Sequence, residues 1–479
     1  MLAEVLSMLS YRPRMPEHSP LFLCLEHHLA TFLERANDVG GLPTFVELEL
    51  RRFLQCGILA HGFARVRCDD CGHGRLVPFS CKGRGFCPSC GGRRMADTAA
   101  YLADSVLVDV PVRQWVFTLP MWLRRAVARD SRLCSRILKI FTGQVERHLK
   151  SVSHSAGHFG SVTVIQRFGG GLNLNPHFHT LVPDGLYFER DDGQVYFRQS
   201  PPPFLDQLQQ VLGTIIESIR RMLTGMGYHL AELIDQPVAW HACLDASIGQ
   251  RQLLGEDAGM PVETVGESPT SDTIGYQQHL CAKLGGFTLH AGVTTDARDS
   301  GGLERLCRYI ARPAIAQDRL STRYDGKVVY GLRHPWRDGT TEVVFDPLDF
   351  IAHLAALIPP PRTNLVRYHG VFAPAARLRS KIVGRQDAHL ASAMGHKVPG
   401  AKKTRGRRNL LWAELMSRVF GINVLTCTEC GGQCRVIACI EDPAVIRKIL
   451  SHLGLPTQGV HLKPARGPPD RQLEFVDAV

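Results

Sequence analysis

Nine of the fifteen cysteines fall into two short clusters, and this clustering constrains the fold more than any other feature. Five cysteines lie between residues 68 and 90, and four lie between residues 427 and 439. Cysteines grouped at short spacing are typical of metal sites in a reducing compartment and argue against a disulfide framework. The other six lie scattered and are interpreted as small core residues: Cys24, Cys56, Cys134, Cys243, Cys281 and Cys307.

The first cluster matches the four-thiolate zinc pattern. Cys68 and Cys71 are separated by two residues, as are Cys87 and Cys90, and fifteen residues lie between the two pairs. Each Cys-x-x-Cys turn can present two sulfurs to one ion. The sequence therefore predicts one structural Zn²⁺ held by these four cysteines, with Cys81 as a fifth candidate. A reduced redox pair is the alternative.

The second cluster gives a weaker signal because it contains a single Cys-x-x-Cys pair. Cys427 and Cys430 form that pair, and Cys434 and Cys439 follow at longer spacing. The pattern allows a second Zn²⁺ near Cys427 and Cys430, or small buried thiols in a glycine turn.

Two histidines, His177 and His179, flank Phe178 between a glycine-rich turn and an apolar run. Because side chains alternate faces along a strand, the two imidazoles point the same way while Phe178 points into the core behind them. Two imidazoles held in this way can share one metal ion. Two hydrogen-bonded core histidines are the alternative.

Positive charge is concentrated in one segment. Between Arg362 and Arg408 there are twelve lysines and arginines against a single acid, Asp387, which accounts for the whole net charge of +11. Such a segment favours a polyanionic partner such as DNA or RNA, with a solvated basic linker as the alternative. Its densest part consists of Lys402, Lys403, Arg405, Arg407 and Arg408. A second group of basic residues surrounds the first cysteine cluster and suggests a further DNA contact: Arg65, Arg67, Arg75, Lys82, Arg84, Arg93 and Arg94.

Periodicity predicts an α+β fold whose strands do not strictly alternate with helices. Helices are predicted within 20–60, at 95–108, 131–150 and 205–226, and strands at 112–119, 161–168, 177–182 and 287–293. Residues 255–274 are interpreted as an inserted loop. No run approaches eighteen apolar residues, so we expect a cytoplasmic protein with no membrane partner.

A further helix is predicted at residues 303–313, with Leu303, Leu306 and Ile310 facing inward. Tyr309 lies beside that apolar stripe, among three arginines that can hold a phosphate and favour a phenolate: Arg305, Arg308 and Arg312. Packing of the tyrosine at a rim is the alternative. The glycine-rich run at 395–404 fails as a P-loop because Ala401 stands where lysine is required, so no nucleotide hydrolysis is expected.

Taken together and in order, these motifs closely resemble transposases of the IS91 insertion-sequence family, which belong to the HUH class of single-strand nucleases. The resemblance extends from about residue 20 to about residue 455. Its further matching segments are Phe117-Thr-Leu-Pro120, Asn173-Leu-Asn-Pro-His-Phe-His179 and Arg367-Tyr-His-Gly-Val-Phe-Ala-Pro374.

The resemblance implies that His177 and His179 bind a catalytic Mg²⁺ or Mn²⁺ and that Tyr309 is the nucleophile. Some members carry a second tyrosine four residues earlier, where this chain has Arg305, so a single-tyrosine mechanism is implied. HUH sites usually take a third polar ligand from an adjacent strand. Gln166 occupies that position, and it either ligates the ion or hydrogen-bonds a histidine.

The implied organisation is an HUH-type antiparallel sheet with flanking helices, preceded by a helical segment and a zinc module. The predicted regions are a helical segment 1–60, a zinc-binding module 61–110, an HUH catalytic domain 111–335, a basic DNA-binding segment 336–420 and a cysteine-containing region 421–479. The expected partners are single-stranded element ends and target DNA, with nucleoid association and self-association also expected. The alternatives are a plasmid replication initiator or relaxase of the same class, and a non-catalytic zinc-dependent DNA-binding protein.

Overall fold

The computed structural model describes residues 14–227, 238–255, 257–266, 280–383, 412–420 and 423–466. Within this part of the chain the fold is α+β with antiparallel sheets, which confirms the predicted class. The helices are α1 (Pro20–Asp38), α2 (Thr44–Phe53), α3 (Pro88–Tyr101), α4 (Met121–Arg129), α5 (Ser131–Val152), α6 (Leu205–Gly225), α7 (Val238–Gly249), α8 (Ser300–Ile310), α9 (Pro347–Leu357), α10 (Arg379–Ile382), α11 (Trp412–Phe420) and α12 (Pro443–His452). None of the helices in the described ranges is both long enough and apolar enough to cross a bilayer.

A six-stranded antiparallel sheet carries the two histidines. Its strands, in spatial order, are β14 (Val366–Gly370), β4 (Gly160–Phe168), β5 (Leu174–Pro183), β3 (Val112–Thr118), β10 (Phe287–Thr295) and β9 (Cys281–Leu284). The four predicted strands are all present, and they form the contiguous centre of the sheet. Strand β5, with both histidines, lies between β4 and β3 and is therefore held by hydrogen bonds on both sides.

The alternation of side chains along β5 separates the core from the site. Phe178 is fully buried and stacks near Phe117 and Phe141, with ring centroids 6.3 Å from each. This face of the sheet packs against α5 and α6. The opposite face, to which the histidines point, packs against α3, the π-helical turn Leu102–Val106 and α8. The tyrosine helix α8 therefore covers the same face that presents the histidines.

The tyrosine helix α8 forms as its sequence predicts. Its apolar stripe of Leu303, Leu306 and Ile310 is buried. Asp299 caps its amino terminus, since the Asp299 carboxylate accepts a hydrogen bond of 2.7 Å from the Gly302 amide. The helix ends at Ile310, three residues before Pro313, which cannot donate a helical hydrogen bond.

A three-stranded sheet joins the two ends of the described chain. Strand β1 (Phe63–Cys68) lies between β2 (Gly74–Pro78) and β15 (Cys434–Ile440), and the register places Cys68 opposite Cys434. The carboxy-terminal cysteines therefore do not form a separate unit. They complete the sheet that the first cysteine cluster begins.

The remaining strands form two smaller sheets. One has the order β11 (Leu320–Thr322), β12 (Val328–Gly331), β13 (Thr340–Phe345) and β8 (Glu263–Gly266), and the other pairs β6 (Gly185–Glu189) with β7 (Val195–Gln199). Strand β8 lies within the predicted loop 255–274, of which residues 256 and 267–274 fall outside the described ranges. The stretch predicted as a basic segment, 336–420, supplies β13, the buried helix α9 and the sheet strand β14, so the catalytic sheet extends past residue 335.

Candidate active site and cysteine clusters

The ring nitrogens of the two histidines converge. Nε2 of His177 and Nε2 of His179 lie 3.0 Å apart, and the two rings meet at 63°. Nδ1 of His177 donates a hydrogen bond of 2.7 Å to the carbonyl oxygen of Asn175, and this bond fixes the neutral ring with its lone pair on Nε2. His177 therefore presents an acceptor nitrogen to the space that it shares with His179.

His179 has a partner that the sequence did not indicate. The side-chain amide of Gln114, on the neighbouring strand β3, lies 2.6 Å from Nδ1 of His179. Here Nε2 of Gln114 donates to Nδ1, so the ring proton of His179 is on its Nε2 and faces the acceptor nitrogen of His177. Turning the amide so that its oxygen faces the ring makes Nδ1 the donor and leaves the lone pair on Nε2 of His179. Gln114 and His179 are 3% and 5% exposed, so this bond is protected from water.

Burial keeps both imidazoles neutral near pH 7. The pKa of His177 is lowered to about 4, chiefly by burial, with further contributions from the positive charges of Arg312 and Arg124, while the Asn175 carbonyl opposes the shift. The pKa of His179 is lowered well below its usual value, again chiefly by burial, with contributions from His177 and Arg312. Neutral imidazoles are the form that binds metal ions.

Tyr309 lies beside the histidines and remains accessible. Its side chain is 41% exposed, and its ring stands perpendicular to that of His179 with 6.1 Å between centroids. The guanidinium of Arg312 lies 4.8 Å from the centre of the tyrosine ring, and that of Arg333 lies 5.7 Å from it. Two positive charges therefore face the phenol, and Arg333 comes from a loop distant in sequence.

The other two predicted arginines of the helix are farther from the ring face. Arg305 is an exposed residue whose guanidinium lies 4.0 Å from the carboxylate of Asp299. Arg308 is half-buried on the flank of α8. Two other tyrosines lie nearby in sequence: Tyr330 is 1% exposed and donates to the carbonyl of Ala314, while Tyr324 is 99% exposed.

Gln166 connects the sheet to the tyrosine helix. The register of β4 and β5 places it opposite His177, so both side chains lie on one face. Its Nε2 donates to the carbonyl oxygens of Ile310, at 2.6 Å, and Tyr309, at 3.4 Å. Its Oε1 is buried without a hydrogen-bond partner among the described residues. Gln166 thus holds the end of the tyrosine helix, whereas no bond from it to a histidine is found in that part of the chain.

One four-cysteine group lies at the amino terminus of helix α3. It comprises Cys56, Cys81, Cys87 and Cys90, whose sulfurs all lie within 4.8 Å of one another. The shortest separations are 3.5 Å between Cys81 and Cys90 and 3.6 Å between Cys56 and Cys87. We call this group cluster I. The sulfurs of a tetrahedral site with Zn–S bonds of about 2.3 Å are separated by about 3.8 Å, so this group has the dimensions of a zinc site.

A second group, cluster II, joins residues far apart in sequence. It comprises Cys68, Cys71, Cys427 and Cys430. The sulfurs of Cys68 and Cys430 lie 3.6 Å apart, as do those of Cys71 and Cys427. The pairing of β1 with β15 brings these two Cys-x-x-Cys turns together.

The predicted grouping of Cys68, Cys71, Cys87 and Cys90 around one ion is therefore wrong. Cys68 and Cys71 lie at the tip of the hairpin formed by β1 and β2, and this hairpin carries them to β15. Cys87 and Cys90 lie at the start of α3, where Cys56 and Cys81 complete the group. Cys56 is consequently not a simple core residue, and the fifth candidate, Cys81, does belong to a cluster.

The comparisons with known protein families match two separate parts of the chain. The family described as "Transposase zinc-binding domain" matches residues 24–119, and the family described as "Putative transposase" matches residues 160–380. The chain belongs to the IS91-type transposases. A curated protein of Sinorhizobium fredii, described as a putative transposase, is 29% identical over 381 residues, which cover 78% of this chain and 84% of the relative. No solved structure matches.

The two matched ranges contain different parts of the candidate site of the transposase. The zinc-binding match contains all of cluster I and half of cluster II, while Cys427 and Cys430 lie beyond it. The second match contains β4, β5 and the tyrosine helix. As a member of this family the transposase acts on DNA. The densest basic residues, Lys402, Lys403, Arg405, Arg407 and Arg408, lie outside the described residues.

Proposed function

We propose that this transposase nicks one DNA strand at the ends of an insertion sequence through a covalent bond to Tyr309, and rejoins that strand to a target by a rolling-circle-type mechanism. One observation carries the proposal. The converging Nε2 atoms of His177 and His179 lie on the same face as Tyr309, whose ring is 6.1 Å from that of His179. The exposed tyrosine beside the two histidines favours a catalytic site over a pair of histidines that only form hydrogen bonds in the core.

The donor set suits a divalent cation. His177 and His179 offer neutral nitrogens, and the buried, unpartnered Oε1 of Gln166 offers an oxygen from the same face of the sheet. Mixed nitrogen and oxygen donors, with remaining positions open for phosphate oxygens, suit Mn²⁺ or Mg²⁺. A divalent ion held there supplies Lewis-acid polarisation of the scissile phosphate.

The chemistry of the chain itself is a transesterification. The Tyr309 oxygen attacks the phosphorus, a Tyr–O–P bond to the 5′ phosphate forms, and the P–O3′ bond breaks. The phenol loses its proton, and the leaving 3′ oxygen takes one up to become a 3′-hydroxyl. Arg312 and Arg333 lie over the tyrosine ring, where their charges attract the phosphate.

The phosphotyrosine retains the energy of the phosphodiester, so strand transfer requires no ATP. This agrees with the failed P-loop at residues 395–404. The position one helical turn before Tyr309 is Arg305, which is exposed and cannot act as a second nucleophile. We therefore infer a single-tyrosine mechanism.

We also propose that each cysteine cluster holds one structural Zn²⁺. The separations of 3.5–3.9 Å between neighbouring sulfurs are those that a tetrahedral zinc site requires. Closed sets of four thiolates are typical of structural rather than catalytic zinc. Cluster II would then tie the carboxy-terminal strand β15 to the zinc-binding domain.

Two alternative functions would use some of the same residues. A plasmid replication initiator or relaxase of the HUH class would use the same histidines and tyrosine on a different DNA. A non-catalytic zinc-dependent DNA-binding protein would use the cysteine clusters and the basic residues alone, and Tyr309 would then only pack at the rim.

The test is incubation of the purified protein with labelled single-stranded DNA from the ends of the element and Mn²⁺, followed by a denaturing gel. We expect a covalent adduct with wild type and none with Tyr309→Phe or His177→Ala. Tyr324→Phe is the matched control, because Tyr324 is fully exposed and lies in the turn between β11 and β12, outside the sheet that carries the histidines. An adduct of undiminished yield in Tyr309→Phe would refute the assignment of the nucleophile.

A further inference from the structure

A cavity of about 340 Å³ lies beside the catalytic residues. Its walls come from four places: helix α3 with the residues just before it, the end of strand β4, the segment that follows the tyrosine helix, and the segment from the end of α9 to the start of β14. Gln166 and Ile310 line it, so it begins one residue after Tyr309 and shares a wall with the histidine site. Neither histidine nor Tyr309 itself lines the cavity, which is therefore a separate space that adjoins the reacting groups.

Four arginines give this cavity a positive character. Arg84, Arg94, Arg167 and Arg312 line it, and none of the described residues in its lining is acidic. Arg84 and Arg94 come from the zinc-binding domain, whereas Arg167 and Arg312 come from the catalytic part of the chain. The two parts of the protein thus contribute to one positively charged space, which an anion would occupy favourably.

The arginines are held mainly by carbonyl oxygens. Arg167 is 7% exposed and donates to the carbonyls of Ala128, Ala356 and Leu357 at 2.8 to 3.2 Å. Arg84 donates to the carbonyl of Thr363. Carbonyl dipoles orient a guanidinium without neutralising its charge, which favours the binding of phosphate in the cavity.

The positive charges of Arg84 and Arg94 also act on each other. Burial lowers the pKa of the Arg84 guanidinium, and the charge of Arg94 lowers it further. The nearby Glu49 carboxylate, which accepts a hydrogen bond from the backbone amide of Gly85, opposes this shift and offsets part of the positive charge of the two arginines.

The remaining lining is apolar and suits a base. Phe168, Val164, Pro313 and Leu365 contribute to it. The guanidinium of Arg312 lies 5.4 Å from the centre of the Phe168 ring, so a flat cationic group and an aromatic ring border the space together. The volume lies at the lower end of the range of about 300–1,000 Å³ for ligand pockets, which accommodates one small unit and excludes a duplex.

We infer that this cavity binds one unpaired nucleotide of the DNA strand next to the scissile phosphate. Arg84, Arg94 and Arg312 contact the phosphate, and the base packs against the apolar wall. This inference rests on the proposed function, since that function supplies the single strand. It makes the zinc-binding domain a part of the substrate site, through the face of α3 that carries Gly91, Arg94 and Thr98.

The test measures equilibrium binding in a Tyr309→Phe background, where no adduct forms. The probes are fluorescent oligothymidylate and an abasic oligomer of the same length and charge, compared at one ionic strength. Thr98→Trp fills the cavity and leaves every arginine in place, and Arg94→Gln removes one charge. Arg220→Gln is the matched control, because Arg220 is an exposed arginine on α6, which packs on the opposite face of the sheet.

We expect the unsubstituted cavity to prefer oligothymidylate over the abasic oligomer by at least about fivefold, as a packed base requires. Thr98→Trp should abolish that preference, Arg94→Gln should weaken binding of both probes, and Arg220→Gln should change neither. Zinc content and thermal stability identify any variant that fails to fold. Binding by Thr98→Trp with the full wild-type preference would overturn the inference.

The two proposals fail in different ways. If Thr98→Trp loses the preference but wild type forms no adduct with end DNA, the cavity binds a nucleotide and the proposed nicking function is wrong. If wild type forms the adduct but Thr98→Trp keeps the full preference for oligothymidylate and Arg94→Gln binds both probes as tightly as the unsubstituted cavity, the nicking function holds and the nucleotide cavity is wrong.

Discussion

Gly91 and Pro313 are in such close contact that no side chain fits between them. A Cβ placed on Gly91 would lie 2.6 Å from Cβ of Pro313, far inside van der Waals contact. Gly91 directly follows Cys90 of cluster I, and Pro313 follows the tyrosine helix by three residues. Cluster I is therefore packed directly against the segment that ends the helix carrying Tyr309.

This contact predicts that Gly91→Ala reduces adduct formation without releasing zinc. Proline is rigid, so the added methyl group must displace α3 from the tyrosine helix, and such overpacking costs about 1–3 kcal/mol. We expect the rate of adduct formation to fall by about tenfold, measured on denaturing gels beside zinc content. Gly92→Ala is the control, because a Cβ at Gly92 meets no atom within 4 Å. Equal rates in the two variants would contradict the coupling.

Zinc stoichiometry tests the regrouping of the cysteines. The structure predicts two Zn²⁺ per chain, and Cys56→Ser should lower this number to one by opening cluster I. Cys243→Ser is the control, since Cys243 is an equally buried cysteine outside both clusters. The measurement is elemental analysis of purified protein after dialysis against a weak chelator. Retention of both ions by Cys56→Ser would show that Cys56 is not a ligand.

Much of the site could be predicted because it depends on local periodicity. The shared face of His177 and His179 follows from strand alternation, and the position of Tyr309 beside a buried stripe follows from helical spacing. These relations hold within a single element, so the sequence alone determines them.

The remaining parts depend on contacts between distant elements, and no local pattern encodes them. Cys56 has no cysteine within ten residues of it in sequence, and Cys430, a partner of Cys68, lies 362 residues away from it. Two complete cysteine pairs only fifteen residues apart suggested a single site, although the hairpin between them separates the pairs. Gln114 and Arg333 likewise reach the site only through sheet pairing and loop packing.

Gln114 is predicted to control metal affinity through His179. Because its amide orients the imidazole, Gln114→Leu should weaken Mn²⁺ binding by about 10- to 100-fold, as is usual for a lost partner of a ligating histidine. The measurement is titration with Mn²⁺ followed by electron paramagnetic resonance. Gln114→Glu, which keeps an oxygen acceptor, should restore most of the affinity. Unchanged affinity in Gln114→Leu would argue against metal binding through Nε2 of His179.

Asp349 predicts how stability changes with pH. Burial raises the pKa of this carboxyl to about 7, although the amides of Leu253 and Leu254 donate to it and oppose the shift. Since the ordinary value is about 3.9, the folded state binds more protons than the unfolded state between about pH 4 and 7. The free energy of unfolding therefore falls as the pH rises through this window.

The matched variant is Asp349→Asn, which keeps an oxygen acceptor for the two amides and cannot ionise. The stability of wild type relative to this variant should fall by about 2 kcal/mol between pH 5.5 and pH 8. Denaturant titration of the zinc-loaded proteins at the two pH values measures it. A difference that does not change with pH would show that Asp349 does not titrate in this range.

The central claim is that Tyr309 forms the covalent bond with DNA, and peptide mapping of the adduct tests it most directly. Wild-type protein is incubated with end DNA and Mn²⁺, digested with nuclease and trypsin, and analysed by mass spectrometry. Cleavage after Arg308 yields a peptide that begins at Tyr309. We predict a nucleotide attached through its 5′ phosphate to that tyrosine. A nucleotide on any other residue, or one attached through a 3′ phosphate, would contradict the mechanism.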